Sequence, residues 1–147
     1  MRQKQRADWF RGKDLQATDH RDRTLLLVDD SAFFRNMLGP VLKAAGYKVR
    51  VTNSAVEALS LLRGGAQFDV ILTDIEMPEV SGFEFAQQLK ASERWRTIPV
   101  IALSALYGPE VIARGKAAGI DAYVKKLDTK ALVAALNSTL NAQEEAA

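Results

Sequence analysis

The chain contains 147 residues, of which 48% are hydrophobic and 26% are charged, and its formal net charge is +2. Such a composition is typical of one globular domain with a substantial core, and it argues against fibrous and largely disordered proteins. Because cysteine is absent, disulfides, thiolate catalysis and sulfur-ligated metals are excluded. No apolar stretch reaches the length of a membrane span, and residues 1–6 lead into no signal-peptide core, so we expect a soluble cytoplasmic protein.

Residues 1–23 form a basic, polar N-terminal segment with seven Lys or Arg and four Asp. We interpret this segment as a solvated arm or linker, because it lacks both helical periodicity and the dense basic run that is typical of nucleic-acid binding. We therefore expect no contact with nucleic acid or membrane. His20, the only histidine in the sequence, lies in this arm, which leaves no histidine-based metal site or catalytic triad.

From residue 24 onward, short apolar runs alternate with segments of helical periodicity. This alternation predicts βα units and an α/β fold in which a doubly wound, five-stranded parallel sheet is covered by helices on both faces. The predicted strands are residues 24–28, 47–52, 70–73, 98–103 and 120–124. We expect one domain over residues 24–141, followed by a flexible tail at residues 142–147.

Particular residues mark the predicted helices. Ser31, Ser54 and Asp128 stand where they can cap the helices that follow them. The fourth helix, which begins near residue 109, contains Gly115, and a glycine inside a helix costs about 1 kcal/mol relative to alanine. We expect this fourth helix to be a weakly stable, movable element.

Polar residues follow four of the predicted strands, where each strand ends. They are Asp29, Asp30, Asp74, Ser104 and Lys126. Because the carboxyl ends of parallel strands share one edge of a sheet, where such sheets bind ligands, these side chains should converge. Neighbouring carboxylates repel and raise each other's pKa, so we expect a hard divalent cation among them. Each residue alone is compatible with a turn, a cap or a solvated charge, but their joint placement suits phosphoryl transfer.

Four segments carry a resemblance to a known family. They are residues 28–31 (VDDS), 74–78 (DIEMP) with Gly82, 103–105 (LSA) and 123–126 (YVKK). In their order, and in the separations of 44, 30 and 22 residues between Asp30, Asp74, Ser104 and Lys126, they resemble the receiver domain, the phosphoacceptor module of two-component signalling. The resemblance covers residues 24–140 and implies a flavodoxin-like (βα)5 fold with strand order 2-1-3-4-5.

The resemblance assigns a role to each acid at this edge. It implies that Asp74 is the nucleophile and the phosphorylation site, which attacks the phosphohistidine of a histidine kinase. Asp30, Asp74 and the backbone carbonyl of Glu76 would ligate Mg²⁺, with Asp29 acting through a water molecule. Lys126 would pair with Asp74 first and with a phosphoryl oxygen after the transfer.

The resemblance also implies a switch. Ser104 would donate its hydroxyl to the phosphate, and Tyr123 would then swing inward and remodel the surface of the fourth and fifth helices. Two residues depart from the family pattern. Leu127 replaces a common proline, so we expect a different loop shape without a cis peptide bond. Glu76 places an acid near the path of hydrolytic water, which it either orients or repels.

Three further segments resemble hybrid chemotaxis histidine kinases and related coupling proteins: residues 7–11 (ADWFR), 33–38 (FFRNML) and 126–128 (KLD). They imply a chemotaxis-type pathway in which a histidine kinase is the phosphodonor and chemotaxis or coupling proteins are further partners. Because the sequence ends after the fifth helix, we expect signalling by protein contact or to a domain attached at the N-terminus. Phe33 and Phe34 are consecutive, so they cannot both face the sheet squarely. The oligomeric state stays open.

Two other functions stay open at this point. An aspartate-nucleophile phosphohydrolase is suggested by Asp74 and an acid two residues later, although that class has Asp where this chain has Glu76. An unphosphorylated scaffold would bind partners through the same faces, but it does not explain why all five site residues are present. The leading interpretation is a phosphoacceptor that assists its own phosphorylation and dephosphorylation rather than an enzyme.

Overall fold

The computed structural model describes residues 22–106 and 108–146. The predictions about residues 1–21, including the segment 7–11 and His20, lie outside the described residues. The strands are β1 (Thr24–Val28), β2 (Lys48–Thr52), β3 (Val70–Asp74), β4 (Val100–Ser104) and β5 (Ala122–Lys125). The helices are α1 (Ala32–Ala44), α2 (Ala55–Arg63), α3 (Gly82–Lys90), α4 (Pro109–Ala117) and α5 (Thr129–Ala146).

All paired strands are parallel, and their order across the sheet is β2-β1-β3-β4-β5. The predicted doubly wound, flavodoxin-like α/β fold is therefore confirmed. Val28 at the end of β1 pairs with Thr73 of β3, and Asp74 pairs with Leu103 of β4. This register brings Asp29, which follows Val28, and Asp74 to the same carboxyl edge of the sheet.

Helices cover both faces of the sheet, which explains why the strands are apolar on both sides. Leu26 and Val28 of β1 belong to the core layer that contains residues of α2 and α3. Leu25 and Leu27 belong to the opposite layer, with residues of α1 and α5. The leucines of α5 are buried at the predicted helical spacing; they are Leu132, Leu136 and Leu140.

Strands β4 and β5 each begin two residues later than the sequence pattern predicts. Ile98 and Ile120 lie in the preceding loops, yet both pack against the core layer of α2 and α3. Their apolar character therefore reflects burial without strand pairing. Such a residue extends the apolar run in the sequence and cannot be told from a strand residue by periodicity alone.

Side-chain caps begin α1, α2, α3 and α5 near the carboxyl edge, whereas α4 begins after Gly108 without one. Ser31, Ser54 and Asp128 each accept the N–H of the residue three positions later, at 3.4, 3.1 and 2.9 Å, as predicted. A complete capping box between Ser81 and Glu84, which the sequence reasoning missed, begins α3. These caps fix where the loops that carry the site enter their helices.

The sequence predicts a flexible tail at residues 142–147, but in the structure α5 continues to Ala146. Gln143 Nε2 donates a hydrogen bond to the Thr97 carbonyl at 3.1 Å. Arg23 Nη2 lies 3.0 Å from Glu144 Oε2. These contacts join parts of the chain that are far apart in sequence, so the local polarity of the last residues did not reveal them. Within the described part of the chain, every helix is too short or too polar to cross a membrane.

Gly82 lies where the first turn of α3 packs against the backbone that follows β3. A Cβ atom at Gly82 would overlap the Asp74 carbonyl oxygen and lie 2.8 Å from Ile75 Cα. Because these are backbone atoms, we expect Gly82→Ala to lower the free energy of unfolding by about 1–3 kcal/mol. Urea denaturation followed by circular dichroism measures this change.

Gly39→Ala is the matched control. Gly39 lies inside α1, and a Cβ atom there would meet nothing within 4 Å. Replacing a glycine in a helix interior usually raises the free energy of unfolding by about 0.5–1 kcal/mol, but Pro40 follows Gly39 and disfavours a helical alanine before it, so we expect a change within about 1 kcal/mol. Equal effects of Gly39→Ala and Gly82→Ala would contradict the close packing assigned to Gly82.

Candidate functional site

Three carboxylates lie together at the carboxyl edge of the sheet. Asp29 and Asp30 follow β1 and Asp74 ends β3, and one oxygen atom from each lies within 4.8 Å of the others. Asp29 and Asp74 are buried, whereas Asp30 is exposed. The structure thus brings together the three acids that the sequence places after strands, with one side of the cluster open to solvent.

Lys126 reaches the same cluster from the turn after β5. Its Nζ atom lies 3.1 Å from Asp74 Oδ2 and 3.2 Å from Asp29 Oδ2, and the side chain is 8% exposed. The same atom lies 4.2 Å from the centre of the Phe34 ring, a cation–π contact. Phe34 is therefore part of the site, a contact that sequence reasoning missed. Its neighbour Phe33 is 67% exposed.

Several donors and acceptors fix the position of Asp29. The Ser31 N–H donates to Asp29 Oδ1 at 2.9 Å, and the Asp29 N–H donates to the Thr52 carbonyl at 3.1 Å. Arg35 of α1 donates to the Asp29 carbonyl oxygen at 2.7 Å. Sequence reasoning missed Arg35. The spacing between Arg35 and the acidic pair cannot be interpreted until the first residue of α1 is known, because only then is it clear that Arg35 faces the site.

The charges at this edge are unbalanced without a metal ion. The pKa of Asp74 is raised to about 7, chiefly by burial and in addition by the nearby charges of Asp29 and Glu76, while Lys126 lowers it in part. One ammonium therefore does not offset the burial of the carboxylates. A divalent cation that prefers hard oxygen ligands fits this set of three carboxylates, of which one is exposed and two are buried.

Ser104, at the end of β4, is buried and hydrogen bonded to an acid from a neighbouring loop. Its hydroxyl donates to Glu76 Oε2 at 2.8 Å, and the Ala105 N–H donates to Glu76 Oε1 at 3.4 Å. The Leu106 N–H donates to Ser104 Oγ at 3.0 Å. The sequence singled out Glu76 for its backbone carbonyl and as an acid near the path of hydrolytic water, so the contact of its side chain with Ser104 is new information from the structure.

Tyr123 of β5 is partly buried beside Ser104. Burial raises the pKa of its phenol, and the neighbouring Ser104 hydroxyl lowers it in part. A Cβ atom at Gly115 of α4 would lie 3.1 Å from Tyr123 Cε2. The glycine that weakens α4 by propensity therefore also makes room for the Tyr123 ring.

Leu127 stands next to Lys126 and is 69% exposed. Throughout the described residues every peptide bond is trans, which agrees with the expectation that Leu127 brings no cis bond to this loop. The Lys126 N–H donates to the Ser104 carbonyl at 3.0 Å. This backbone bond ties the turn after β5 to the end of β4 and positions the Lys126 side chain.

The parallel (βα)5 sheet with three acids and a lysine at its carboxyl edge defines a receiver-type module. A family model described as the response regulator receiver domain matches residues 25–137. The chain belongs to this family, whose members act in two-component signalling. Receiver domains are generally phosphoacceptor switches that interact with histidine kinases and bind Mg²⁺ through an acidic pocket.

Individual relatives agree with this assignment. The chain is 42% identical over 102 residues to the gliding motility regulatory protein of Myxococcus xanthus. The matched segment is 69% of this chain and 13% of that protein. The chain is 36% identical over 104 residues to the polar-differentiation response regulator DivK of Brucella ovis, covering 71% and 84% of the two chains. The solved structure of chemotaxis protein CheY4 of Vibrio cholerae superposes with a TM-score of 0.74 at 32% identity, covering 80% of this chain and 98% of that chain.

The raised pKa of Asp74 predicts a pH dependence of stability in metal-free buffer. The pKa of this carboxyl rises from an ordinary value of 3.8 to about 7 in the folded state. The folded protein thus binds more protons between these values. The stability that this proton contributes is fully present when the pH is below the ordinary pKa, and it is lost as the pH rises through the pKa of the folded state. Asp74→Asn cannot ionise, so it should not show this loss.

Urea denaturation of the parent and Asp74→Asn in buffer with EDTA tests this prediction. The parent should lose stability relative to the variant as the pH rises from 3.8 to about 7, the interval between the ordinary and the folded pKa of Asp74, and should lose little more at higher pH. Parallel pH profiles of the two proteins would show that Asp74 ionises as readily in the fold as in the unfolded chain.

Proposed function

We propose that this receiver domain accepts a phosphoryl group on Asp74 from the phosphohistidine of a histidine kinase, with Mg²⁺ as its cofactor. The observation that carries this proposal is the position of Asp74, a buried carboxylate whose Oδ2 atom lies 3.1 Å from Lys126 Nζ. It lies at the edge of the sheet where parallel α/β folds bind ligands. Membership of the receiver family supports a histidine kinase as the donor.

Asp74 acts as the nucleophile in the proposed reaction. One of its carboxylate oxygens attacks the phosphorus atom in line with the bond to the donor imidazole nitrogen. The new O–P bond forms as the N–P bond breaks, and the imidazole leaves with the bonding electrons and takes up a proton. The product is an aspartyl phosphate. Because the attacking group is the ionised carboxylate, nearby positive charge must lower the pKa of Asp74 before transfer.

Asp30, Asp74 and the Glu76 backbone carbonyl would hold Mg²⁺, with Asp29 acting through a water molecule. The oxygen atoms of the three carboxylates within 4.8 Å of one another support this ligand set. When bound, the ion supplies the positive charge that offsets the carboxylates and the transferring phosphoryl group. Because Asp30 is exposed, the cluster is accessible from solvent on this side, where a hydrated ion would enter.

Lys126 and Ser104 bind the transferred phosphoryl group in this mechanism. Lys126 exchanges its contact with Asp74 Oδ2 for a contact with one phosphoryl oxygen, and Ser104 donates its hydroxyl to another. The displacement of Ser104 alters its contact with Tyr123, whose ring packs against α4 at Gly115. The signal then passes to a partner protein through the changed surface of α4 and β5.

The pathway that we propose is a cytoplasmic one of chemotaxis type. The similarity to chemotaxis protein CheY4 supports this proposal, and so does the similarity to part of a gliding motility regulatory protein. DivK, in contrast, is a polar-differentiation response regulator. A pull-down with a chemotaxis coupling protein, with and without beryllofluoride, distinguishes the chemotaxis output from the polar-differentiation output. Binding of the coupling protein supports the chemotaxis output.

Incubation with Mg²⁺ and acetyl phosphate is expected to add one phosphoryl group to the parent protein. Intact-mass spectrometry should show an addition that is stable in acid and labile in base, as an acyl phosphate is. Asp74→Ala should abolish the addition, because it removes the nucleophile. Repeated turnover without a stable adduct would point to a phosphohydrolase instead, and a parent that gains no mass would point to a scaffold.

Lys126→Met should slow this phosphorylation by about 100-fold, since it removes a cation that stabilises the developing charge. Lys125→Met is the matched control, because it removes the same charge from the neighbouring exposed position. We expect it to retain the parent rate within about threefold, as a surface charge has a weak effect. Similar rates for the two variants, measured by the time course of mass addition, would contradict the role of Lys126.

A further inference from the structure

We propose that the Glu76 side chain is a positioning residue that occupies the phosphoryl-binding donors of the unphosphorylated protein and must leave them for Asp74 to be phosphorylated. This inference rests on the proposed function and deepens it. Its basis is the pair of hydrogen bonds that Glu76 accepts, from the Ser104 hydroxyl at 2.8 Å and from the Ala105 N–H at 3.4 Å.

The two donors lie where a phosphoryl group on Asp74 would need them. Asp74 pairs with Leu103 in the parallel register of β3 and β4, so Ser104 and Ala105 come directly after the strand residue that lies beside it. Glu76 also contacts the Asp74 carboxylate through its backbone, because its N–H donates a hydrogen bond to Asp74 Oδ1 at 3.3 Å. The Glu76 loop therefore links the acceptor carboxylate to the donors at the end of β4.

A carboxylate imitates a phosphoryl group in this position. Both carry negative charge on oxygen atoms that accept hydrogen bonds from a hydroxyl and a backbone amide, and both form charge-assisted bonds that are stronger than neutral ones. Glu76 presents one oxygen to each donor, in a bidentate arrangement. Ser104 and Ala105 are thus already engaged when a phosphoryl group arrives, and the incoming group has to compete with Glu76 for them.

The structure also offers a place for the displaced carboxylate. Glu76 is exposed, and it lines a cavity of about 310 Å³ between α3 and α4 together with Phe83, Leu106, Arg114 and a second acid, Glu110. The Arg114 guanidinium of α4 lies 4.4 Å from the centre of the Phe83 ring. A carboxylate that is repelled by the phosphoryl group can turn toward this cation. The displacement then moves a negative charge from the end of β4 to α4, the helix that packs against Tyr123.

Three variants separate the contact of Glu76 from its charge. Glu76→Ala removes both, Glu76→Asp keeps the charge on a side chain one methylene shorter, and Glu76→Gln keeps an oxygen acceptor without the charge. If Glu76 holds the donors, Glu76→Ala and Glu76→Asp should both be phosphorylated by acetyl phosphate faster than the parent, by about 3- to 10-fold. The phosphorylation rate of Glu76→Gln should lie between the rates of the parent and of Glu76→Ala.

Glu79→Gln is the matched control, since it removes one negative charge from an exposed acid in the same loop. It should be phosphorylated at the parent rate. A parent rate in Glu76→Asp together with a faster rate in Glu76→Gln would overturn the inference, because it would assign the effect to charge repulsion alone. Equal acceleration in Glu79→Gln would overturn it for the same reason. Thermal denaturation verifies that each variant is folded.

A second measurement uses the protein without metal or phosphodonor. Amide resonances of Ala105 and Leu106 in ¹H–¹⁵N spectra should shift between the parent and Glu76→Ala, and the Ala105 amide should exchange faster with solvent. Unchanged resonances would show that the contact is absent and would overturn the inference even if phosphorylation occurs. A parent that is never phosphorylated but shows the amide shifts would instead refute the proposed function, so the two failures are distinguishable.

Discussion

The contact of one buried ammonium with two buried carboxylates is the interaction on which the site depends. Asp29 and Asp74 reach the sheet edge on adjacent strands, and Lys126 Nζ lies within 3.2 Å of an oxygen atom of each. Loss of one partner from such a buried group leaves an uncompensated charge, which costs far more than loss of a surface ion pair. Burial is the main cause of the high pKa of Asp74, and the remaining excess of negative charge adds to it. The excess of negative charge also makes this edge of the sheet suited to a divalent cation.

The fold was predictable from the sequence because its main signals are local. The run from Leu25 to Val28 is apolar throughout because helices cover both faces of the sheet, and Asp29 marks where that run reaches the edge. The strand order came from the family resemblance, since no local pattern fixes which strands are neighbours. The late start of β4 and the helical C-terminus were not predictable. Ile98 is buried without pairing, and Gln143 is held by a residue far away in sequence.

The site was predictable to a smaller extent. Residues that follow strands converge by topology alone, so the acids, Ser104 and Lys126 were found as a group. Other contacts depend instead on helix orientation and on side-chain rotamers, which only the packed structure fixes. They are the contacts of Phe34, Arg35 and the Glu76 side chain.

These contacts link the acidic cluster to its surroundings. Through Ser104, Glu76 joins the Asp74 carboxylate to the end of β4, next to the region where Tyr123 packs against α4. A change at Asp74 can therefore reach the protein surface by side-chain exchange, without a change of fold.

The chemical identity of the phosphorylated residue tests the central claim most directly. Borohydride reduces an aspartyl phosphate to homoserine, so reduction of the phosphorylated parent followed by peptide sequencing locates the acceptor. Homoserine at position 74 alone is the result expected from a buried carboxylate paired with Lys126. Homoserine at the position of Asp29 or Asp30, or a phosphoryl group on a hydroxyl side chain, would contradict the assignment of Asp74 as the nucleophile.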